Sequence, residues 1–224
     1  MPGKITIAID GPAASGKSTT ARRVAQKLGY IYVDSGAMYR AATLACIQAG
    51  INFNDEQSVT RFIEKLKITI KPHPSGQKTY LNNQDVTNLI RSPQVNEVIS
   101  VISAYPGVRT CLVNMQRKLA KEGGVVMDGR DIGTVVLPNA DLKVFMVASL
   151  QERAKRRLKE HQARGEHITL EEVKNEIEQR DRLDSSRDTA PLKMADDARV
   201  LDTSHLSIDE QVAIIEQWAK EIQG

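Results

Sequence analysis

The chain has 224 residues, enough for one sizeable hydrophobic core with small inserted parts. Hydrophobic residues make up 41% and charged residues 26%, which excludes disordered, collagen-like and membrane-embedded classes. A net charge of +3, from 31 basic and 28 acidic residues, is too mild to imply nucleic-acid binding, but it suits a polyanionic small substrate.

In chain order, the first element is an apolar, β-branched run, Ile5 to Ile9, read as a strand. It enters Gly11-Pro12-Ala13-Ala14-Ser15-Gly16-Lys17-Ser18, a complete G-x-x-x-x-G-K-[ST], and a helical pattern follows from Thr19 to Leu28. Strand, glycine-rich loop and helix in that order form a phosphate loop, because the glycines let successive N–H groups turn inward at a helix N-terminus. Lys17 is then expected at the β- and γ-phosphates of a nucleoside triphosphate, and the Ser18 hydroxyl on Mg²⁺. Gly29 closes the helix and Tyr30 to Val33 reads as a second strand. Asp34-Ser35-Gly36 leads into a helix from about Ala37 to Ala49, stopped by Gly50, and a further helix covers about Asp55 to Leu66.

Texture changes next. Lys67 to Lys71 alternates with period two, Pro72-His73-Pro74-Ser75-Gly76 is turn material, and Lys78 to Leu81 runs back. With Asn82-Asn83 and Asp85 to Thr87 this predicts a small antiparallel insertion outside the parallel sheet; the alternative is a surface hairpin without direct chemistry. Ser92-Pro93 starts a helix, Pro106 interrupts it, and a second helix runs to about Glu122. Val125 to Met127 is a buried-type strand ending in Asp128-Gly129-Arg130-Asp131, and Leu142 to Val147 is another. Ser149 with Glu152, and Thr169 with Glu172, are capping boxes that open two charged helices joined by Ala163-Arg164-Gly165-Glu166. Arg199 to Leu201 is a last short strand, and Ser207 with Glu210 caps a C-terminal helix with Val212, Ile215, Trp218, Ala219 and Ile222 on its apolar face. Strands alternating with helices predict a three-layer α/β core around a mostly parallel sheet. Cys46 and Cys111 read as buried thiols of a reducing compartment, and the four histidines lack metal-ligand spacing. No apolar run is long enough for a membrane span, and the first strand begins too early for a signal peptide, so a cytoplasmic location is expected.

A phosphate loop alone does not name a reaction. The arginines narrow it: Arg40, Arg109, Arg130, Arg153, Arg157, Arg180 and Arg187 offer planar forks suited to phosphate, and Arg180, Asp184 and Arg187 share a helix face if the helix persists that far. Arg153 and Arg157 read equally well as a solvated, salt-bridged face, since acidic residues are interleaved. Asp128, at a strand end, suits Mg²⁺ held through water; the alternative is a turn cap.

The chain resembles the bacterial cytidylate kinases, within the nucleoside monophosphate kinases. The resemblance covers essentially all of it and rests on Ile9-Asp10-Gly11-Pro12, on Asp34-Ser35-Gly36-Ala37-Met38-Tyr39-Arg40, on Asp128-Gly129-Arg130-Asp131-Ile132-Gly133-Thr134-Val135-Val136, and on Arg180-Asp181-Arg182 running to Ala190-Pro191-Leu192. It implies one phosphate-loop kinase domain over 1–224, with a five-stranded, mostly parallel core sheet (1–34, 106–150 and 191–224). It also implies a monophosphate-binding part with the antiparallel insertion (35–105) and a helical lid (151–190). Further, it implies transfer of a phosphoryl group from ATP, with Mg²⁺, to CMP or dCMP, by a monomer with no nucleic-acid or membrane partner. Gly11 to Thr19 and Arg157 would bind ATP, and Arg153 or Arg182 are further lid candidates. Ser35, Tyr39, Arg40, Arg130 and Arg187 would surround the acceptor phosphate, Ser100, Arg109 and Asp131 the cytosine, and Arg180 with Asp184 the sugar. Lys17, Arg130, Arg180 and Arg187 would carry the catalysis. Kinases of shikimate, other nucleotides or dephospho-coenzyme A share the architecture but lack the second and third of these stretches. A GTPase would need Asn-Lys-x-Asp, and a nucleic-acid-dependent ATPase a strand ending in Asp-Glu; neither is in the sequence.

Overall fold

A computed structural model describes residues 3–73, 76–163 and 165–224. The turn expected at Pro74-Ser75 and the Arg164 position of the lid joint lie outside the described residues. Five strands form the core sheet: β1 (Thr6–Asp10), β2 (Ile31–Asp34), β6 (Val125–Gly129), β7 (Leu142–Val147) and β8 (Arg199–Asp202), in the order β2-β6-β1-β7-β8. Every described pairing in it is parallel. Consecutive parallel strands need crossovers, and helices supply them on both faces.

Period-two alternation decides which helices lie on which face. Ile7 and Ile9 of β1, with Val144 and Met146 of β7, pack on α1 (Lys17–Leu28) and α8 (Ile208–Gln223) through Ala21, Val24, Val212, Ile215 and Ala219. Ala8, Val33 and Met127 point the other way. They meet Met38 of α2 (Ser35–Gln48) and Val113 and Ala120 of α5 (Pro106–Ala120). Trp218 is half-buried against the α8 side with Arg199 over its ring, while Ile222, expected on the same face, stands exposed.

Beside the second face lie α3 (Glu56–Ile63), α4 (Pro93–Ile102) and a three-stranded antiparallel sheet, β3 (Ile68–His73), β4 (Gly76–Leu81) and β5 (Gln84–Asp85). The segment expected as a lid holds an antiparallel pair, α6 (Leu150–Ala163) and α7 (Leu170–Ser185), with a small core of its own: Ala154, Val173 and Ile177, packed also against Ala14 of the phosphate loop.

Two expectations change. The Ser149 capping box is half-formed: Ser149 accepts the Glu152 N–H at 3.3 Å, but its own N–H goes to Ser204 and the Glu152 carboxylate pairs with Lys155. The boxes at Thr169 and Ser207 are complete. Cys46 is buried, but Cys111 only partly so. Residues Ile132–Val136, to which the sequence assigns no element, form a π-helical turn. Among the described residues no single helix is long and apolar enough to cross a membrane.

Candidate active site

The carboxyl ends of β1, β2 and β6 open on one cavity of about 670 Å³, the position where parallel α/β sheets place ligands. Its floor is the phosphate loop. A Cβ on Gly11 would lie 2.2 Å from the Met146 carbonyl oxygen, so only glycine lets the loop pass β7 this closely. Gly16, at φ +93°, turns the chain into α1. From behind, the Ser15 carbonyl accepts from Thr203 (2.9 Å) and Arg156 (3.1 Å). Lys17 is buried and its Nζ donates to the Pro12 carbonyl at 3.0 Å. Burial, reinforced by nearby Arg130, brings its ammonium down to about 7.

The two strand-end acids, Asp34 and Asp128, stand opposite each other in register. Asp128 accepts the Ser18 hydroxyl at 2.6 Å on one oxygen and the Tyr32 hydroxyl at 2.8 Å on the other. Burial, with Asp34 alongside, lifts its carboxyl to about 6. The exposed Ser18 hydroxyl and the Asp128 carboxylate bonded to it are hard oxygen donors of the kind that fit Mg²⁺. Asp34 also caps α2, accepting from Ala37 at 3.0 Å.

The side of the cavity away from the phosphate loop is built from α2, the β6 end and α7. Ser35 donates to the Asp128 carbonyl at 2.7 Å. Arg40 donates to Asn96 of α4 at 2.5 Å and to the Ile90 carbonyl at 3.4 Å; burial and the nearby Arg180 pull its guanidinium down to about 10. Asp184 is the hub. It accepts from Arg130 (2.7 Å), Arg180 (3.3 Å) and Arg187 (2.5 Å). Burial pushes its carboxyl up, but the three guanidinium groups outweigh that and hold it below the usual carboxylate value. Deeper in, Arg109 pairs with Asp131, donates to the Ser103 carbonyl at 3.1 Å and lies over the Tyr39 ring. The Tyr39 hydroxyl and Arg109 Nε are buried with no hydrogen-bond partner among the described residues, and burial raises the Tyr39 phenol to about 12. Asp131 stands where β6 gives way to the π-helical turn. Asp10 anchors that turn by accepting from the N–H groups of Ile132 (2.8 Å) and Gly133 (2.7 Å), and burial lifts its carboxyl to about 6.

Most residues singled out in the sequence therefore meet at one cavity: Ala13, Ala14, Gly16, Lys17, Ser18, Thr19, Ser35, Tyr39, Arg40, Arg109, Asp128, Arg130, Asp131, Arg157, Arg180 and Arg187 line it. Gly11, Pro12 and Ser15 form the back of the loop instead, and Asp184 sits behind its arginines. Ser100 does not reach the cavity. Ile99 and Ser103, one turn apart on the same side of α4, face it, and Ser100 lies about 100° round. Arg157 lines the wall while paired with Glu160 and Glu176; Arg182 is exposed.

The insertion is not a bare surface hairpin. Gln77 and Thr79 of β4 and Thr87 line the cavity, and the Gln77 side-chain oxygen accepts the Asp34 N–H at 3.0 Å on the free edge of β2. Sequence reasoning missed these, and also Tyr32, Asp10, Arg156 and Ser103. Tyr32 alone carried a local signal, being two residues before Asp34 and so on the same side of the strand.

Comparison with known proteins agrees with this geometry. The family model described as cytidylate kinase matches residues 7–222. A cytidylate kinase of Geobacillus kaustophilus is 50% identical over 224 residues, covering all of both chains. One of Bacillus pumilus is 51% identical over 210 residues, 94% of this chain and 93% of that protein. A shikimate kinase structure from Bacteroides thetaiotaomicron, 12% identical, superposes with a TM-score of 0.50 over 97% of this chain and 99% of the other, a likeness of fold. A phosphate loop facing an arginine-lined second subsite, together with a full-length match to one family, leads to a single conclusion: this chain belongs to the cytidylate kinase family.

Proposed function

We propose that the chain transfers the terminal phosphoryl group of ATP to CMP or dCMP, giving ADP and CDP or dCDP, by direct in-line displacement. The observation that carries this is the Arg109–Asp131 pair opening on the same cavity as the phosphate loop. The attacking atom is a phosphate oxygen already anionic at neutral pH, so no general base is required. What remains is to hold two polyanions together and stabilise charge on the moving group. Lys17 and the loop N–H groups hold the donor phosphates, with Arg157 from the lid. Ser35, Tyr39, Arg40, Arg130 and Arg187 hold the acceptor phosphate, and Arg180, with Asp184 behind it, meets the sugar. Removing one such donor is expected to cost about 3–4 kcal/mol of transition-state stabilisation.

Ser18 and, through water, Asp128 would hold Mg²⁺. When bound, the ion neutralises charge on the phosphate oxygens. Tyr32 orients the Asp128 carboxylate for that role. The lid excludes water, which otherwise competes as nucleophile.

Base choice follows from hydrogen-bond polarity. Cytosine presents an amino donor beside two ring acceptors. The Asp131 carboxylate takes the amino proton and Arg109 donates to the acceptors, with a serine of α4 beside it. For that third contact Ser103 stands nearer than Ser100. Uracil sets an oxygen against the carboxylate and an N–H against a donor, and such buried mismatches reject an analogue strongly. A coupled ADP-release assay across the nucleoside monophosphates is expected to rank CMP and dCMP far ahead of UMP. Comparable kcat/KM for UMP and CMP would overturn the assignment.

A further inference from the structure

Asp181 has no part in the arginine hub, although Arg180 precedes it and Asp184 lies one turn on. Its side chain leaves α7 in another direction and reaches the phosphate loop. Oδ1 accepts the Ala13 N–H at 3.1 Å, and Oδ2 accepts from Nη1 of Arg153 on α6. The same Nη1 donates to the Ala13 carbonyl at 3.2 Å, and Arg153 Nε donates to the Ala148 carbonyl at 3.1 Å. Both backbone polar groups of one loop residue are thus tied to the lid, one to each lid helix. Arg153 is buried, and Asp181 is its only carboxylate partner among the described ion pairs.

We propose that Asp181 is a positioning residue for phosphoryl transfer: it holds Arg153 against the phosphate loop and fixes the distance between that loop and α7. This rests on the reading of the loop as the ATP site. The consequence lies next door on the helix. Arg180, and Arg187 through Asp184, stand on α7, so their distance from the donor phosphates depends on where α7 meets the loop. The lid core contributes little to that placement, being three buried apolar residues and a rim. A charged bond to a loop N–H, backed by a buried guanidinium, is the directional contact that can set it. Asparagine at 181 would keep an acceptor for Ala13 but leave Arg153 buried without its counter-charge.

The test is steady-state kinetics in both substrates for Asp181→Asn, Asp181→Glu, Arg153→Ala and the Asp181→Asn/Arg153→Ala pair, with thermal unfolding of each. Asp181→Asn is expected to lower kcat roughly ten- to a hundredfold, as misplacement of remote groups does, with KM for CMP little changed. Its Tm should fall because Arg153 is left uncompensated, and the double variant, which removes that charge, should regain Tm without regaining kcat. Asp181→Glu is expected to recover part of the loss. The double variant should fall no further than the worse single one, because the two residues act as one unit. Wild-type kcat for Asp181→Asn, or additive losses in the double variant, would overturn the proposal. So would a double variant that regains kcat along with Tm. Titration of Lys17→Ala with a fluorescent ATP analogue separates the two levels. Undiminished binding there removes the donor-site reading and this proposal with it. Lost binding together with a wild-type Asp181→Asn removes this proposal alone.

Discussion

Lys17 shows how a single group is tuned by its surroundings. Burial, then Arg130, brings its ammonium down to about 7 against the opposing pull of Asp128, Asp184 and Asp10, and its Nζ rests on the Pro12 carbonyl. Phosphates arriving there favour the charged form, so the pKa rises on binding. At pH 8 the free protein carries Lys17 largely neutral, and ATP binding must therefore take up protons; affinity should weaken as pH climbs through 7. Calorimetry at pH 8 in two buffers of different ionisation enthalpy should give different apparent heats, and equal heats would contradict the placement. That Lys17, Asp128 and the arginines would meet was legible in the chain, because their motifs are contiguous and their chemistry is narrow, and most of them do line one cavity. The facing of Ser100 was not legible: it depends on the rotational phase of α4, where a shift of one residue turns a side chain about 100°. Asp10 and Gln77 were hidden for a different reason. Each acts through a partner far along the chain, and an aspartate or glutamine carries no pattern that names its distant partner.

The elements followed from ordinary signals. Asp34, Asp55, Ser92, Thr169 and Ser207 all cap helices with their side chains, and prolines open α4 and α5. The π-helical turn after β6 had no such signal. An extra residue per turn is a strained local choice, and here tertiary bonds to Asp10 compensate for it. Gly129 is the joint. A Cβ there would stand 2.5 Å from Ser35 Oγ and 2.7 Å from Ile132 Cδ1, so neither the Ser35 bond to Asp128 nor the turn could keep its place. Gly129→Ala is expected to destabilise the protein by about 1–3 kcal/mol, as overpacking does. It should also raise KM for CMP more than KM for ATP, because the displaced groups face the acceptor. Thermal unfolding and two-substrate kinetics check both parts; an unchanged Tm would mean that the joint has slack.

Over the whole molecule, alternation of strands and helices predicted the layers, and all the described core pairings are parallel. What alternation could not show was that the antiparallel insertion folds back onto the edge of β2 and walls part of the cavity, since a hairpin has the same local pattern wherever it docks. The net charge of +3 also understates the site. Around the cavity cationic side chains outnumber acidic ones nine to five, so the field at its mouth attracts nucleotides from a distance. Raising salt from about 0.05 M to about 0.5 M shortens the screening length severalfold. The kcat/KM for CMP should fall with it, while kcat, which reflects groups already in contact, changes much less. A salt-independent kcat/KM would show that the cavity's charge plays no part in capture.

One carboxylate holding three guanidinium groups has a consequence for the order of events. Gathering like charges is uphill, and here the climb belongs to folding, because Asp184 compensates Arg130, Arg180 and Arg187 within the protein itself. A nucleotide arriving at such a site finds its ring preassembled and has only to exchange partners with it. Little free energy of binding is then spent on rearrangement, and more is left for the moment of transfer.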